Sequence, residues 1–255
     1  MLAAGAKSVH VIENALDIDT SRIAERINAK PVRSDGLVRI VYGSGSAAHD
    51  SDFRVAAPAI LNVLKARFHA RLTVIGSLKL PSEFEEVKSQ IERLPPSDYE
   101  TYLSRLSRCH VNIAPLEPTI FNDAKSNIKY LEAATLHIPS VCSPTAEYLT
   151  TIQQSETGFL AATTAEWEEM LTRLVDDEAL RKAMGDRAYE HVQAHYTPSI
   201  VASEQVEPLL APHRRFSPKP LRILGVNIFF EPRSFGGATI VAEQVAQRIN
   251  GFDDA

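Results

Sequence analysis

The chain has 255 residues, 44% hydrophobic and 23% charged, with a formal charge of −5, and this balance with no long run of one sign argues against nucleic-acid binding. No stretch approaches the ~20 apolar residues of a membrane helix, and MLAAGAKSVHVIE lacks the basic-then-apolar order of a signal peptide. The two isolated cysteines, Cys109 and Cys142, sit in apolar surroundings, so the expectation is a cytoplasmic protein with reduced thiols and neither a disulfide nor a metal site.

In chain order, residues 8–12 read as a strand with no element before it. Further strands are expected over residues 37–43, 71–76, 110–114 and 139–143, with a short one at 158–160. Helical patterns fall between them at 53–68, 99–107, 125–135 and 145–153, and two more follow at 165–176 and 178–196. Strands separated by helices imply βαβ units and a parallel sheet, so residues 1–197 are expected to form a doubly wound, Rossmann-like α/β domain.

The composition then changes. Five of the fifteen prolines lie between Pro198 and Pro220, so residues 198–219 are expected to be an exposed linker. Residues 220–255 (LRILGVNIFF, EPRSFGGAT, IVAEQVAQRI) read as a strand, a glycine loop and a helix. Such a unit cannot bury a core alone, so the chain is expected to break off inside a second domain. An exposed LRILGVNIFF strand is apolar, so the tail is expected to dock on its own domain or to self-associate with a neighbouring chain.

Four segments lie where such a sheet meets a ligand, at the carboxyl ends of its strands. In the first, Gly43, Ser44 and Gly45 allow close backbone approach, His49 sits in the loop, and Asp52 is placed to cap the helix starting at Phe53. A strand-to-helix turn with a capping aspartate explains the same residues. No GxGxxG or P-loop pattern is present. In the second, Leu116 follows a strand, and Asn122 or Asp123 is placed to cap the next helix.

The third segment is KSNIKYLEAA. Lys125, Lys129 and Glu132 are spaced i, i+4 and i+7, which places them on one helical face. A cation in a first helical turn is unfavourable by roughly a few tenths of a kcal/mol. An anion at that helix end would give Lys125 a reason to be there, whereas a solvent-facing stripe with a Lys129–Glu132 pair is the plainer alternative. The fourth is the Ser-Pro-Thr turn at Ser143–Thr145, whose hydroxyl is placed to cap the following helix.

Together, YGSGSAAHDSDF, APLEPTIFNDAKSNIKYLEAATLHIPSVCSPT and the closing ETGFLAATTAEWEEMLTRL resemble the C-terminal, donor-binding domain of GT-B "group 1" glycosyltransferases. LRILGVNIFFEPRSFGGATIVAEQVAQRI resembles the start of a further GT-B N-terminal domain. The resemblance implies transfer of a glycosyl group from a nucleotide-sugar donor, in glycan or polysaccharide biosynthesis, without a metal ion or other cofactor. It also implies a glycan or lipid-linked acceptor held by a domain that this chain lacks, leaving the fragment inactive alone.

Carried onto this sequence, Glu132 is expected at the ribose hydroxyls. Lys125 and Lys129, with backbone N–H groups around Asn122–Ser126, are expected at the diphosphate. Gly43, Ser44, Gly45 and His49 are expected near the phosphates or the sugar, and residues 94–99 with Leu116 near the base. Many retaining members carry a second glutamate eight positions before the first, but here Ala124 stands there and Asp123 is the nearest carboxylate. The stereochemical outcome and the general base therefore stay open. Two other readings are kept: a degenerate module that binds a nucleotide sugar or a partner without catalysis, and a GT-B-fold sugar-nucleotide epimerase.

Overall fold

The computed structural model describes residues 10–30, 35–44 and 50–214. They fall into two compact units, one within residues 18–193 and the other made of residues 10–17 with 194–214.

Residues 18–193 contain a six-stranded, wholly parallel sheet in the order β3-β2-β1-β4-β5-β6. Its strands are β1 (Val38–Ser44), β2 (Ala70–Gly76), β3 (Ile91–Leu94), β4 (Val111–Ala114), β5 (Ser140–Cys142) and β6 (Phe159–Leu160). This is the doubly wound order, with its direction of winding reversing between β1 and β4. The helices are α1 (Ile18–Asn28), α2 (Asp50–Arg54), α3 (Ala57–Ala66), α4 (Tyr99–Leu106), α5 (Ile120–Asp123), α6 (Ile128–Thr135), α7 (Ala146–Thr151), α8 (Thr164–Asp176) and α9 (Glu178–His195).

Strand alternation sorts the core into two layers. Ile40 and Tyr42 of β1 and Leu72 and Val74 of β2 point into one cluster, with Ile60 and Leu64 of α3 and Trp167 and Leu171 of α8. Val41 and Ile75 point to the other face, against Ala24 of α1, Leu103 and Leu106 of α4 and Ala133 of α6. Burial on both faces explains why these strands read as continuous apolar runs rather than alternating ones. Gly76 closes β2 at φ +105, where a Cβ would lie 1.9 Å from the Ser44 carbonyl oxygen. Only glycine fits that approach of β2 to β1.

Several boundaries differ from the sequence reading for identifiable reasons. The helix expected over 53–68 is two helices, because Pro58 in the first turn of α3 lacks an N–H and would clash with the carbonyl of residue 54 in a continuous helix. Residues 82–94, unassigned from sequence, form a 3-10 segment (Ser82–Gln90) and β3. Gln90 secures them, its side-chain amide donating to the carbonyls of Leu64, Arg67 and Ala70 at 2.9–3.1 Å. Helix α1 was also not anticipated. Its apolar side is short, with Ala24 buried and Ile23 and Ile27 packed on the core.

In the other unit, residues 10–17 form no regular element, so the described part of the expected strand at 8–12 is not one. A strand needs a paired neighbour for its backbone. Here the Glu13 N–H donates instead to the Gln205 side chain at 2.8 Å, and the Leu16 N–H to the Tyr196 carbonyl at 2.7 Å.

The expected linker is helical through α10 (Pro198–Val201), a π turn (Ala202–Val206) and α11 (Glu207–Arg214). Pro198 sits in a first turn, where no N–H is required, and the π turn just before Pro208 relieves the clash a proline makes with the preceding turn. The strand, loop and helix expected over 220–255 lie outside the described residues.

Candidate functional site

The site is built where β1 and β4 release their chains at the reversal of winding. The β4–α5 loop is fixed first: the Leu116 N–H donates to the Ser143 hydroxyl at 2.8 Å, tying it to the turn after β5. Thr119 caps α5 by accepting from the Asn122 N–H at 3.1 Å, so the cap is Thr119, with Asn122 and Asp123 inside the helix.

Asn122 turns inward instead. Its side-chain amide donates to the Asp52 carboxylate at 2.8 Å and to the Glu117 carbonyl at 2.9 Å. Asp52 also accepts from the Glu117 N–H at 3.1 Å and pairs with the Lys125 ammonium at 2.8 Å. Asp52 lies within α2 and is buried, so it is the hub of this knot and not the helix cap expected from sequence. Burial pushes its carboxyl up, but Lys125, the Glu117 N–H and Asn122 together hold it below its ordinary value.

Lys125 therefore has the partner that its spacing did not reveal. It precedes α6, which starts at Ile128 after Asn127, so the expected helix over 125–135 is shorter. Asn127 is fully buried and gives its amide to the Thr151 hydroxyl at 2.8 Å, leaving the N-cap position without a side-chain acceptor. No N–H of residues 126–129 has a hydrogen-bond partner among the described residues. The expected cap at Thr145 is likewise not made, and its hydroxyl is buried without a partner among the described residues.

Within α6, Lys129 and Glu132 go different ways, and no Lys129–Glu132 ion pair forms among the described residues. The Lys129 ammonium lies 4.6 Å from the centroid of the Tyr42 ring, sealed from solvent and without a hydrogen-bond partner among the described residues. Burial lowers its pKa to about 8. Glu132 is buried and accepts from the Tyr99 hydroxyl at 3.0 Å and from the Tyr102 hydroxyl at 3.1 Å. Burial raises its carboxyl to about 7 against the pull of both phenols and of Lys129. A buried, unpartnered ammonium beside uncapped helical N–H groups is an arrangement suited to an anion.

Of the other sequence candidates, Gly43 lies under the Tyr102 side chain, with 3.1 Å from its would-be Cβ to the Tyr102 hydroxyl oxygen. Ser44 is buried with its hydroxyl donating to the Ser77 carbonyl, turned along the β2 side. Leu116 is buried, Ser126 half-buried, and Asp123 exposed at the end of α5. Gly45 and His49 lie outside the described residues. Residues 94–99, expected near the base, end in Tyr99, whose hydroxyl donates to Glu132. Tyr42 and Tyr102 were not anticipated as neighbours of the charged groups, because a strand or helix pattern carries no signal of what one ring faces.

A six-stranded parallel sheet in doubly wound order, flanked by helices, is the Rossmann-like architecture of one half of a GT-B glycosyltransferase. The chain belongs to the glycosyl transferase-like family, whose model matches residues 54–206, more than half of it. No match was found among curated proteins.

Among solved structures it is similar to WaaG, a glycosyltransferase involved in lipopolysaccharide biosynthesis (16% identity, TM-score 0.54, 74% of this chain and 50% of that one). It is similar also to a variant of S. aureus TarM in complex with fondaparinux, α-GlcNAc-glycerol and UDP (11% identity, TM-score 0.60, 81% and 41%). A third is the C-terminal domain of the group 1 glycosyl transferase LpcC from Francisella tularensis (16% identity, TM-score 0.52, 75% and 100%). The chain thus spans about half the length of the first two and the whole of an isolated C-terminal domain.

Proposed function

We propose that residues 18–193 are the donor-side domain of a glycosyltransferase and bind a nucleoside diphosphate sugar at the β1/β4 switch point, for transfer to an acceptor held by another domain. The observation that carries this reading is the buried, unpartnered ammonium of Lys129 beside the open N–H groups at the start of α6. A stable protein rarely keeps an unsatisfied buried cation without a use for it, because the charge costs folding energy that only a counter-ion returns.

In this reading Lys129 and the α6 N–H groups oppose the diphosphate. The chemistry needs them there: the leaving group gains negative charge as the glycosidic bond breaks, and preorganised positive charge stabilises that change. Lys125, held by Asp52, borders the same crevice. Glu132 is the acceptor for ribose hydroxyls. The UDP bound in the TarM complex supports the class of ligand.

The test is a thermal-shift titration of the full chain with UDP, GDP, dTDP and ADP, repeated on Lys129→Met. A nucleotide at 100 times its dissociation constant is expected to add about 2.7 kcal/mol of stability. That gain is expected to vanish in the variant. A gain of equal size in both proteins would sink the assignment of Lys129. Absence of any gain from all four nucleotides would sink the donor reading for this chain.

A further inference from the structure

One side chain covers two of the groups that the donor reading requires to be open. The Tyr102 hydroxyl donates to Glu132 Oε2 at 3.1 Å, and the same ring lies over Gly43, with its Cε2 3.3 Å from where a Cβ of that glycine would stand. Gly43 is near the carboxyl end of β1 and Glu132 is on α6, so Tyr102 bridges the mouth of the switch point from α4.

The neighbouring Tyr99 is placed differently. Its hydroxyl donates to Glu132 Oε1 at 3.0 Å and also accepts from the Thr20 hydroxyl of α1 at 3.1 Å, so it is held from two sides. Tyr102 has no second hydroxyl partner among the described residues and is only half-buried, while Leu103 and Leu106 anchor α4 in the core. The Tyr102 ring packs on the apolar cluster and stacks on Tyr99 with centroids 6.2 Å apart, but its hydroxyl is held by a single hydrogen bond, so of the two phenols it is the one whose bond to Glu132 can be given up without breaking a second.

Resting on the donor reading of this site, we propose that Tyr102 is its gate: in the empty protein its hydroxyl takes the Glu132 oxygen that a ribose hydroxyl needs, and it leaves when a ribonucleotide enters. Its departure frees Glu132 Oε2, so the occupant that displaces Tyr102 is a ligand with a hydroxyl to donate there. Tyr99 stays and orients the carboxylate. The exchange replaces one O–H···O⁻ bond by another, so Glu132 never loses its second partner in the buried site. The cost of the gate is the work of breaking the Tyr102 bond before the ligand makes its own.

The experiment is calorimetric titration of the full chain, wild type, Tyr102→Phe, Tyr102→Leu and Tyr99→Phe, with UDP, GDP and ADP, with the 2′-deoxy form of whichever binds, and with inorganic pyrophosphate. Removing the competing hydroxyl is expected to tighten the ribonucleotide about fivefold in both Tyr102 variants, the value of one net hydrogen bond. The 2′-deoxy form is expected to gain less, and pyrophosphate, which has no hydroxyls, to be unchanged. Tyr99→Phe is expected to give no gain.

Ribonucleotide binding that is unchanged or weaker in Tyr102→Phe would overturn the gate while leaving the donor reading standing, since Tyr102 would then be a support for Glu132. Equal tightening in Tyr99→Phe would overturn its assignment to Tyr102. Failure of every protein to bind any nucleotide would overturn both. Pyrophosphate binding alone, in all four proteins, would keep the anion site and overturn the ribose role together with the gate.

Discussion

Two clusters of charge lie within one loop and one helix of each other and are built on opposite terms. In the Asp52 knot the charges are matched: a buried carboxylate takes Lys125, Asn122 and the Glu117 N–H, and α2 is tied to the loop after β4. One turn into α6 the terms reverse. The Lys129 ammonium is buried against an aromatic ring with no hydrogen-bond partner among the described residues, and Glu132 is buried with only neutral phenols as donors there. The first cluster stabilises the fold. The second costs the fold stability, a pattern found more often at functional sites than in cores.

The largest expected effect tests the first cluster. Asp52→Ala removes the acceptor of three bonds and strands Lys125, and is expected to lower unfolding stability by about 3 kcal/mol, read by denaturant titration. Because Asp52 is held below its ordinary pKa, its contribution is present above the unfolded value and is lost as pH falls through the folded one. Acid titration of the wild type is thus expected to lose this stability at low pH, and the variant to show a flatter profile. A loss below about 0.5 kcal/mol, the size of an ordinary surface substitution, would refute the contrast.

The opposite sign is expected at Lys129. Its pKa is lowered to about 8, so the charged form carries a penalty in the folded state that is fully present below that pH and is relieved as pH rises above it. Lys129→Met keeps the volume and removes the charge. It is expected to raise the stability of the ligand-free protein by about 1–2 kcal/mol at neutral pH while abolishing nucleotide stabilisation. A destabilised variant would show that the contact with Tyr42 outweighs the buried charge, and the two clusters would no longer differ in kind.

The smallest effect is expected at Glu132. Its pKa is raised to about 7, so the folded protein gains from the protonated form below the ordinary carboxylate range and loses that gain as pH rises through about 7. Glu132→Gln is expected to flatten the stability profile between pH 4.5 and pH 7, and to leave the variant about 1 kcal/mol more stable than wild type at pH 8. Parallel profiles for the two proteins across that interval would show that Glu132 does not titrate there.

Much of this was legible in the sequence. Apolar runs separated by helical patterns led to five of the six strands and to a doubly wound sheet, because burial on both faces leaves a one-dimensional trace. The KSNIKYLEAA block was singled out for its charges, and it is there that the structure buries the Lys129 ammonium and Glu132. Strand β3 was missed because IERL is short and only partly buried, so its hydrophobic signal is weak.

The sequence by itself determined the alternation of strands and helices, the parallel sheet it implies and the residue types at the strand ends. Only the tertiary structure decided which charges find partners. Lys125 and Lys129 look alike in a helical repeat, yet Lys125 meets a carboxylate 73 residues away and Lys129 meets the face of a tyrosine. Asp52 reads as a cap until the β4–α5 loop closes over it, and Tyr102 reads as helix surface until α4 packs beside α6. The physical reason is that spacing along a chain sets which face of an element a side chain occupies. What a charge is worth depends on its counter-ions and its exclusion from water, and both are set by segments far away in sequence.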